Sequence, residues 1–391
     1  METRPLTEMD QSPETDPETM RPLTQLASPT TGTRLFHSTS SLQSSQSASA
    51  IASKFLSKFQ SIGPQTRTQV LDANQLQLCS LTLNRNNLYP GYPALSNAAP
   101  PASGTPVPPG YHLVYFTPAF LEGELGIDGT DASYNPDAPF TRRMWAGGEV
   151  VWPRGKNGEV NLLRVGQEVR ETTRLLSAEP KVIKKTGDEM IVVGVEKVFE
   201  NEDGVAIIDR RGSRYSMPRA DLYGCSNWVF REALKIPDEA TRAKIRESFA
   251  SETPATPQAS SQPLTFTTEG NTHTRTLCQS TATLFRFSAL TFNSHKIHYS
   301  LPWAQEVEGH RGLVVHGPIN LVSVLNMWRD VKGAKGGDPE LLVPESISYR
   351  ATSPLYADEE YKLVLEEEGD KSKVNIYGPR GAVSMKAEIS G

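Results

Sequence analysis

LFRFSALTFNSHKIHYSLPWAQEVEGHRGLVVHGPINLVSVLNMWRD, residues 284–330, is the segment around which the rest of the chain is organised. Four of the chain's seven histidines, His295, His298, His310 and His316, fall within it. Residues 284–292 form an apolar, aromatic run that reads as a buried strand entering a loop. Residues 293–298 are a polar turn ending in an imidazole. A short helix is expected from Ser300, which caps its first free N–H groups, with Pro302 near the first helical positions. The last piece, Gly317 to about Asp330, reads as a longer helix. Ile319, Leu321, Val322, Val324, Leu325 and Trp328 cover most of its surface, and a helix apolar all round belongs inside a domain. Gly317 opens it without a side chain, so its amide can face a ligand oxygen carrying negative charge.

At these residues the chain resembles the (R)-hydratases and dehydratases of the MaoC-like, double hotdog group, in particular the 3-hydroxyacyl-thioester dehydratase type 2 and mesaconyl-CoA hydratase-like members. The pattern of that group is D-x-N-P-[apolar]-H, then a helix, then a glycine at the start of the long hotdog helix. The ungapped match here is Asn293-Ser294-His295-Lys296-Ile297-His298, followed by Val315-His316-Gly317. Histidine and glycine agree with the pattern, whereas the aspartate is replaced by Asn293. Ser300 stands where relatives carry aspartate, and both residues cap a helix. A second run, Arg142-Arg143-Met144-Trp145-Ala146-Gly147-Gly148, is similar to the first hotdog of the type 2 group.

The resemblance implies the removal of water from a 3-hydroxyacyl thioester, or its addition to an enoyl thioester. Such a reaction moves a proton at C2 and releases the C3 hydroxyl as water. An imidazole with an ordinary pKa of about 6.5 is suited to that proton transfer. His298 is therefore expected as the general acid/base and Gly317 N–H as the donor to the enolate oxygen. Asn293 cannot exchange a proton in this range, so it is expected to position the water or hydroxyl. His295 and His316 are candidates for lining the substrate site, although each is also read as bracing its turn. Arg142 and Arg143 are candidates to meet a phosphate of coenzyme A or phosphopantetheine, against the commoner case of structural arginines. Imidazoles three residues apart can share an ion, but no cysteine pair or carboxylate cluster sits close by to complete a shell. No metal and no cofactor are expected, the substrate being carried on coenzyme A or on an acyl carrier protein.

The 391 residues suffice for two modest domains plus flexible segments. A net charge of −5, with no basic patch interleaved with aromatics, argues against a nucleic-acid partner. Cys79, Cys225 and Cys278 are far apart and odd in number, which suggests a reducing compartment and no disulfide framework. No apolar run approaches the length needed to span a bilayer. A homodimer is among the expected assemblies.

Residues 1–19 are acidic and polar, but residues 20–71 contain no Asp or Glu, while Arg21, Arg34, Lys54, Lys58 and Arg67 are spread through Ser/Thr/Ala-rich sequence. That composition is expected of a mitochondrial transit peptide read from Met20, with processing around residues 34–40 and a matrix location; an ordinary disordered tail is the bland reading. Residues 1–69 are thus assigned to a disordered N-terminal region. Residues 70–232 are assigned to a first hotdog that builds structure and the acyl pocket, with a helix over 71–83 and strands over 111–116, 149–152, 169–177, 181–185, 190–200 and 205–215. Residues 233–275 are assigned to a linker. Residues 276–391 form a catalytic hotdog that ends in alternating strands over 346–351, 360–366, 373–377 and 382–389. Residues 332–338 are read as a mobile glycine-rich loop. The expected fold is α+β, two hotdog units each wrapping an antiparallel sheet around a helix.

The expected activity is a mitochondrial (3R)-3-hydroxyacyl-thioester dehydratase of type II fatty-acid synthesis. A hydratase of a short branched or dicarboxylic enoyl-CoA, and a non-catalytic acyl-thioester binding subunit, are the rival readings. An additional arginine inside the pocket is the feature that separates the dicarboxylic reading.

Overall fold

The computed structural model describes residues 47–184, 186–211, 228–250 and 265–391. It begins with α1 (Ala48–Ile62), β1 (Gln65–Val70) and α2 (Ala73–Thr82). Then come β2 (Arg142–Trp145), β3 (Gly147–Val151), β4 (Glu168–Val182), β5 (Glu189–Asn201), β6 (Gly204–Arg211), β7 (Trp228–Arg231) and α3 (Glu239–Ala250). β8 (Thr265–Glu269), β9 (Thr272–Cys278) and α4 (Thr281–Leu290) lead to α5 (Gly317–Gly333). β10 (Ser346–Ala351), β11 (Glu360–Glu368), β12 (Lys371–Tyr377) and β13 (Val383–Ser390) end the chain.

One antiparallel sheet carries these strands in the order β1-β4-β5-β6-β3-β10-β13-β12-β11-β9-β8. Outward from the β3–β10 seam the two sides repeat one connectivity: β3, β6, β5, β4, β1 on one side and β10, β13, β12, β11, β9 on the other. These are the two halves of a double hotdog, joined where Gly147–Val151 pairs with residues 346–350. β7 and β2 extend the first half, β7 pairing with both β2 and β5.

The second half wraps α5, whose Ile319, Leu321, Val322, Val324, Leu325, Met327 and Trp328 are all buried in the main core. The helix read from residue 317 is therefore present and buried as expected. Among the described residues the first half has no helix of that length; between α2 and β2 the only helical turns are two short 3-10 segments, Tyr111–Val114 and Glu122–Glu124. Its cover comes instead from α1. Ile51, Ala52 and Phe55 of α1 pack with Ile191, Val193 and Val195 of β5, while Phe199, further along β5, joins the main core. Lys197 falls between these two apolar clusters.

Five expectations change. Residues 284–292 are not a strand: α4 covers Thr281–Leu290, capped by Ser280, with Thr283, Leu284, Phe287 and Leu290 buried at helical spacing. Tyr111–Val114 is a 3-10 helix rather than part of a strand, because Gly110 ahead of it is left-handed at φ 88°. The assigned linker contains β8 and part of β9. β8 is a wholly exposed edge, and β9 points Arg275 inward to Asp330 (2.8 Å), so neither shows apolar alternation. Residues 48–62 and 65–70, assigned to the disordered region, are α1 and β1; Lys54, counted there as a targeting cation, binds Asp137 at 2.6 Å. The strand read over 181–185 is not a separate one in its described part, residues 181–184, since β4 runs through to Val182 past a bulge between Leu175 and Ser177. The proposed start at Met20, the processing run 34–40 and Cys225 lie outside the described residues.

Candidate active site

A cavity of about 1920 Å³ lies between the halves, and both His298 and Gly317 line it. The turn carrying the histidines is clamped by the first half. Lys296 N–H donates to Asp128 O at 2.8 Å, and Ser294 Oγ donates to Gly129 O at 2.7 Å. Gly129 is required here on two counts: its φ is +81°, and a Cβ would lie 2.1 Å from Ser294 O. Asn293 lines the cavity and uses Oδ1 to accept from His295 N–H at 3.1 Å, which closes the turn.

His298 sits on the 3-10 turn Lys296–His298 and is buried. Its Nδ1 is 2.7 Å from Val314 O, which fixes the proton on Nδ1 and leaves Nε2 with a lone pair. Burial, reinforced by neighbouring His295, pushes the imidazole down to about 3, the Val314 carbonyl opposing. The ring stacks on His316 with centroids 3.5 Å apart. His316 is buried and is anchored by Ser288 Oγ at 2.9 Å from Nε2.

His316 is also the residue ahead of α5. Pro318 carries no N–H, and Ile319 N–H is taken by His316 O at 3.1 Å. Gly317 N–H precedes any helical acceptor, and among the described residues no carbonyl accepts from it. Trp145 lies flat over this point: a Cβ on Gly317 would be 2.1 Å from Trp145 Cε3. Trp145 in turn stacks on Tyr349, centroids 5.0 Å apart.

The two arginines have separate surroundings. Arg142 is committed to Glu308, through Nε at 3.1 Å and Nη2 at 2.6 Å, and Trp303 Nε1 donates to the same carboxylate at 3.0 Å. Burial acts to raise the Glu308 carboxyl, but His295, Arg142 and Trp303 outweigh it and hold it at about 2. Arg143 lines the cavity with Asp131 at 3.8 Å as its carboxylate and Trp228 as its π partner at 4.9 Å. Burial draws it below the ordinary arginine value, with Asp131 opposing. Lys197 and Arg211 line the same cavity, each paired to an acid: Lys197 to Glu171 at 2.9 Å and Arg211 to Asp209 at 2.7 Å.

The structure therefore brings all seven candidates, Asn293, His295, His298, His316, Gly317, Arg142 and Arg143, to one cavity wall. Sequence reasoning missed Glu308, Asp128 and Trp145. Glu308 stands in the quoted stretch, yet no spacing marks which of its carboxylates turns inward. Trp145 lies in the Arg142–Gly148 run singled out for its resemblance, where its place over Gly317 is not readable.

The family model for hydroxyacyl-thioester dehydratase type 2 matches residues 110–224 and 225–357. The chain is 27% identical over 291 residues to the mesaconyl-C(4)-CoA hydratase of Chloroflexus aurantiacus, across 74% of this chain and 85% of that protein. It is 24% identical over 282 residues to the mitochondrial hydroxyacyl-thioester dehydratase type 2 of Schizosaccharomyces pombe, across 68% and 80%. A MaoC-like dehydratase structure from Phytophthora capsici superposes with a TM-score of 0.51 at 14% identity, over 84% of this chain and 94% of that one, which shows a shared fold.

Proposed function

The chain belongs to the hydroxyacyl-thioester dehydratase type 2 family and is a hydro-lyase, and from that premise we propose that it interconverts a (3R)-3-hydroxyacyl thioester and a trans-2-enoyl thioester, with His298 and Gly317 as its working pair. The observation that carries this reading is the shared cavity: a neutral imidazole nitrogen and an amide at a helix mouth face one space. In dehydration the C2 proton passes to His298 Nε2, and the charge it leaves on the thioester oxygen is met by Gly317 N–H. A donor so placed is worth about 3–4 kcal/mol in the transition state. Asn293 orients the C3 hydroxyl or the attacking water.

One observation favours a second reading within the same chemistry. Arg143, Lys197 and Arg211 line the cavity, and Arg143 has its carboxylate no nearer than 3.8 Å. An alkyl chain gains nothing from that wall, whereas a second carboxylate on the acyl group does. The deciding assay follows loss of enoyl absorbance with crotonyl-CoA, a longer trans-2-enoyl-CoA and an enoyl-CoA bearing a second carboxylate. Turnover of at least one of them is expected; binding of all three without turnover would make the chain an acyl-thioester binding subunit.

A matrix location and a role in type II fatty-acid synthesis on an acyl carrier protein are part of the proposal. Support comes from residues 20–46, which lack Asp and Glu and carry Arg21 and Arg34, and from the mitochondrial designation of the fission-yeast relative. Ser47 caps α1, so the processing run at 34–40 ends before the first described helix. Sequencing the mature N terminus from purified mitochondria should find it between that run and Ser47; a chain starting before Arg34 would sink the import claim.

A further inference from the structure

The reaction moves two protons, one at C2 and one on the oxygen at C3, and Asn293 can carry neither. A second histidine stands beside His298. The His295 ring centroid is 5.4 Å from that of His298, at 85° to it, and His295 also lines the cavity. Its Nε2 is 3.5 Å from Glu308 Oε1 and 3.8 Å from Asp128 Oδ2. Both carboxylates are fixed by other donors. Glu308 is held by Arg142 and Trp303, and Asp128 Oδ1 accepts from Thr130 N–H at 3.0 Å and Thr130 Oγ1 at 2.7 Å. Each thus turns an oxygen toward one imidazole nitrogen, while His295 Nε2 itself makes no close hydrogen bond. A histidine that only braces a turn would be locked by short bonds. Here the two fixed acids sit 3.5 and 3.8 Å from Nε2 and aim the ring, which leaves exchange with the substrate to Nδ1.

Resting on the dehydratase reading above, we propose that His295 is a second catalytic histidine, serving the C3 oxygen while His298 serves C2, with Glu308 and Asp128 as its positioning residues. The order follows from distance to the oxyanion donor. His298 stacks on His316, the residue next to Gly317, so it lies by C2, one bond from the thioester carbonyl. His295 is the next ring outward and lies by C3. In dehydration the C2–H bond breaks, its proton goes to His298 Nε2, and its electron pair makes the enolate held at Gly317 N–H. The enolate then re-forms the carbonyl and makes the C2–C3 double bond as the C3–O bond breaks. The departing oxygen takes the Nδ1 proton of a doubly protonated His295, whose Nε2–H stays directed at Glu308 and Asp128, and leaves as water. Proton transfer from His298 to His295 through solvent resets the site.

Full-length protein with His295→Gln, His298→Gln or Glu308→Gln tests this, using a (3R)-3-hydroxyacyl-CoA in D₂O. Deuterium entry at C2 is followed by NMR and elimination by enoyl absorbance. His295→Gln should lower elimination at least about a hundredfold while C2 exchange persists, and His298→Gln should abolish both. Glu308→Gln should raise the exchange-to-elimination ratio in the same direction by a smaller factor, which covers the case of an unfolded His295 variant. Elimination within about fivefold of the parent in folded His295→Gln, or exchange and elimination falling together there, overturns the proposal. A parent chain that performs neither step removes the dehydratase reading as well, which separates the two failures.

Discussion

His298→Gln is expected to cost about 10² to 10⁴ in turnover while the protein stays folded, because the substitution keeps the approximate size of the side chain and removes the imidazole proposed to take the C2 proton. The structure gives the same variant a second signature. His298 is held down at about 3 by burial, with His295 adding to the effect, against an ordinary 6.5. A histidine depressed on folding leaves stability complete above about pH 6.5 and withdraws it as pH falls towards 3, because the unfolded chain takes up the proton first. Buried His316 is shifted in the same direction, burial again leading. Glutamine does not titrate, so the acid-side fall in unfolding free energy should flatten by about one proton, roughly 1.4 kcal/mol per pH unit between pH 6 and 4. Urea melts at several pH values beside steady-state rates supply both readouts. A variant with near-parental kcat and an unchanged pH slope would show that His298 neither reacts nor is buried neutral.

Gly317→Ala should damage both the fold and the chemistry of the site. The new Cβ would lie 2.1, 2.6 and 2.8 Å from three Trp145 ring carbons, so the indole or the start of α5 has to move. Overpacking of this kind costs about 1–3 kcal/mol. Displacing the amide from the oxyanion should cost a further 10²- to 10³-fold in kcat. Trp145→Val placed on top of Gly317→Ala should recover part of the lost stability, since neighbours that clash are not additive. Thermal midpoints and kcat for the two single variants and the double variant complete the cycle. An alanine variant with parental kcat would mean that this amide does not hold the oxyanion.

What the chain discloses before folding follows a physical rule. α5 is legible because apolar residues on every side of a helix leave no solvent face, and β10–β13 are legible because one face is buried and the other wet. β9 is not, because its inward Arg275 and His273 are compensated by Asp330 and Glu367, distant in sequence. α4 reads as a strand because exposed Phe285 fills a gap between its buried positions and exposed Phe292 carries the apolar run on past Leu290. In the site, His298 and the helix-start glycine have local signatures. Asp128 and Glu308 do not, since their meaning comes from closing the two halves on one another.

The mismatch between two like sheets and one long helix has a volumetric consequence. A helix as long as α5, which has 17 residues, is a cylinder about 25 Å long and roughly 10 Å across, displacing on the order of 2000 Å³. The space between the halves measures about 1920 Å³. In a duplicated scaffold where one sheet wraps a central helix and the other is covered by α1, the space between the halves is thus comparable in size to such a helix. The capacity of such a chamber can then drift with the few side chains that intrude on it, while the framework around it stays unchanged.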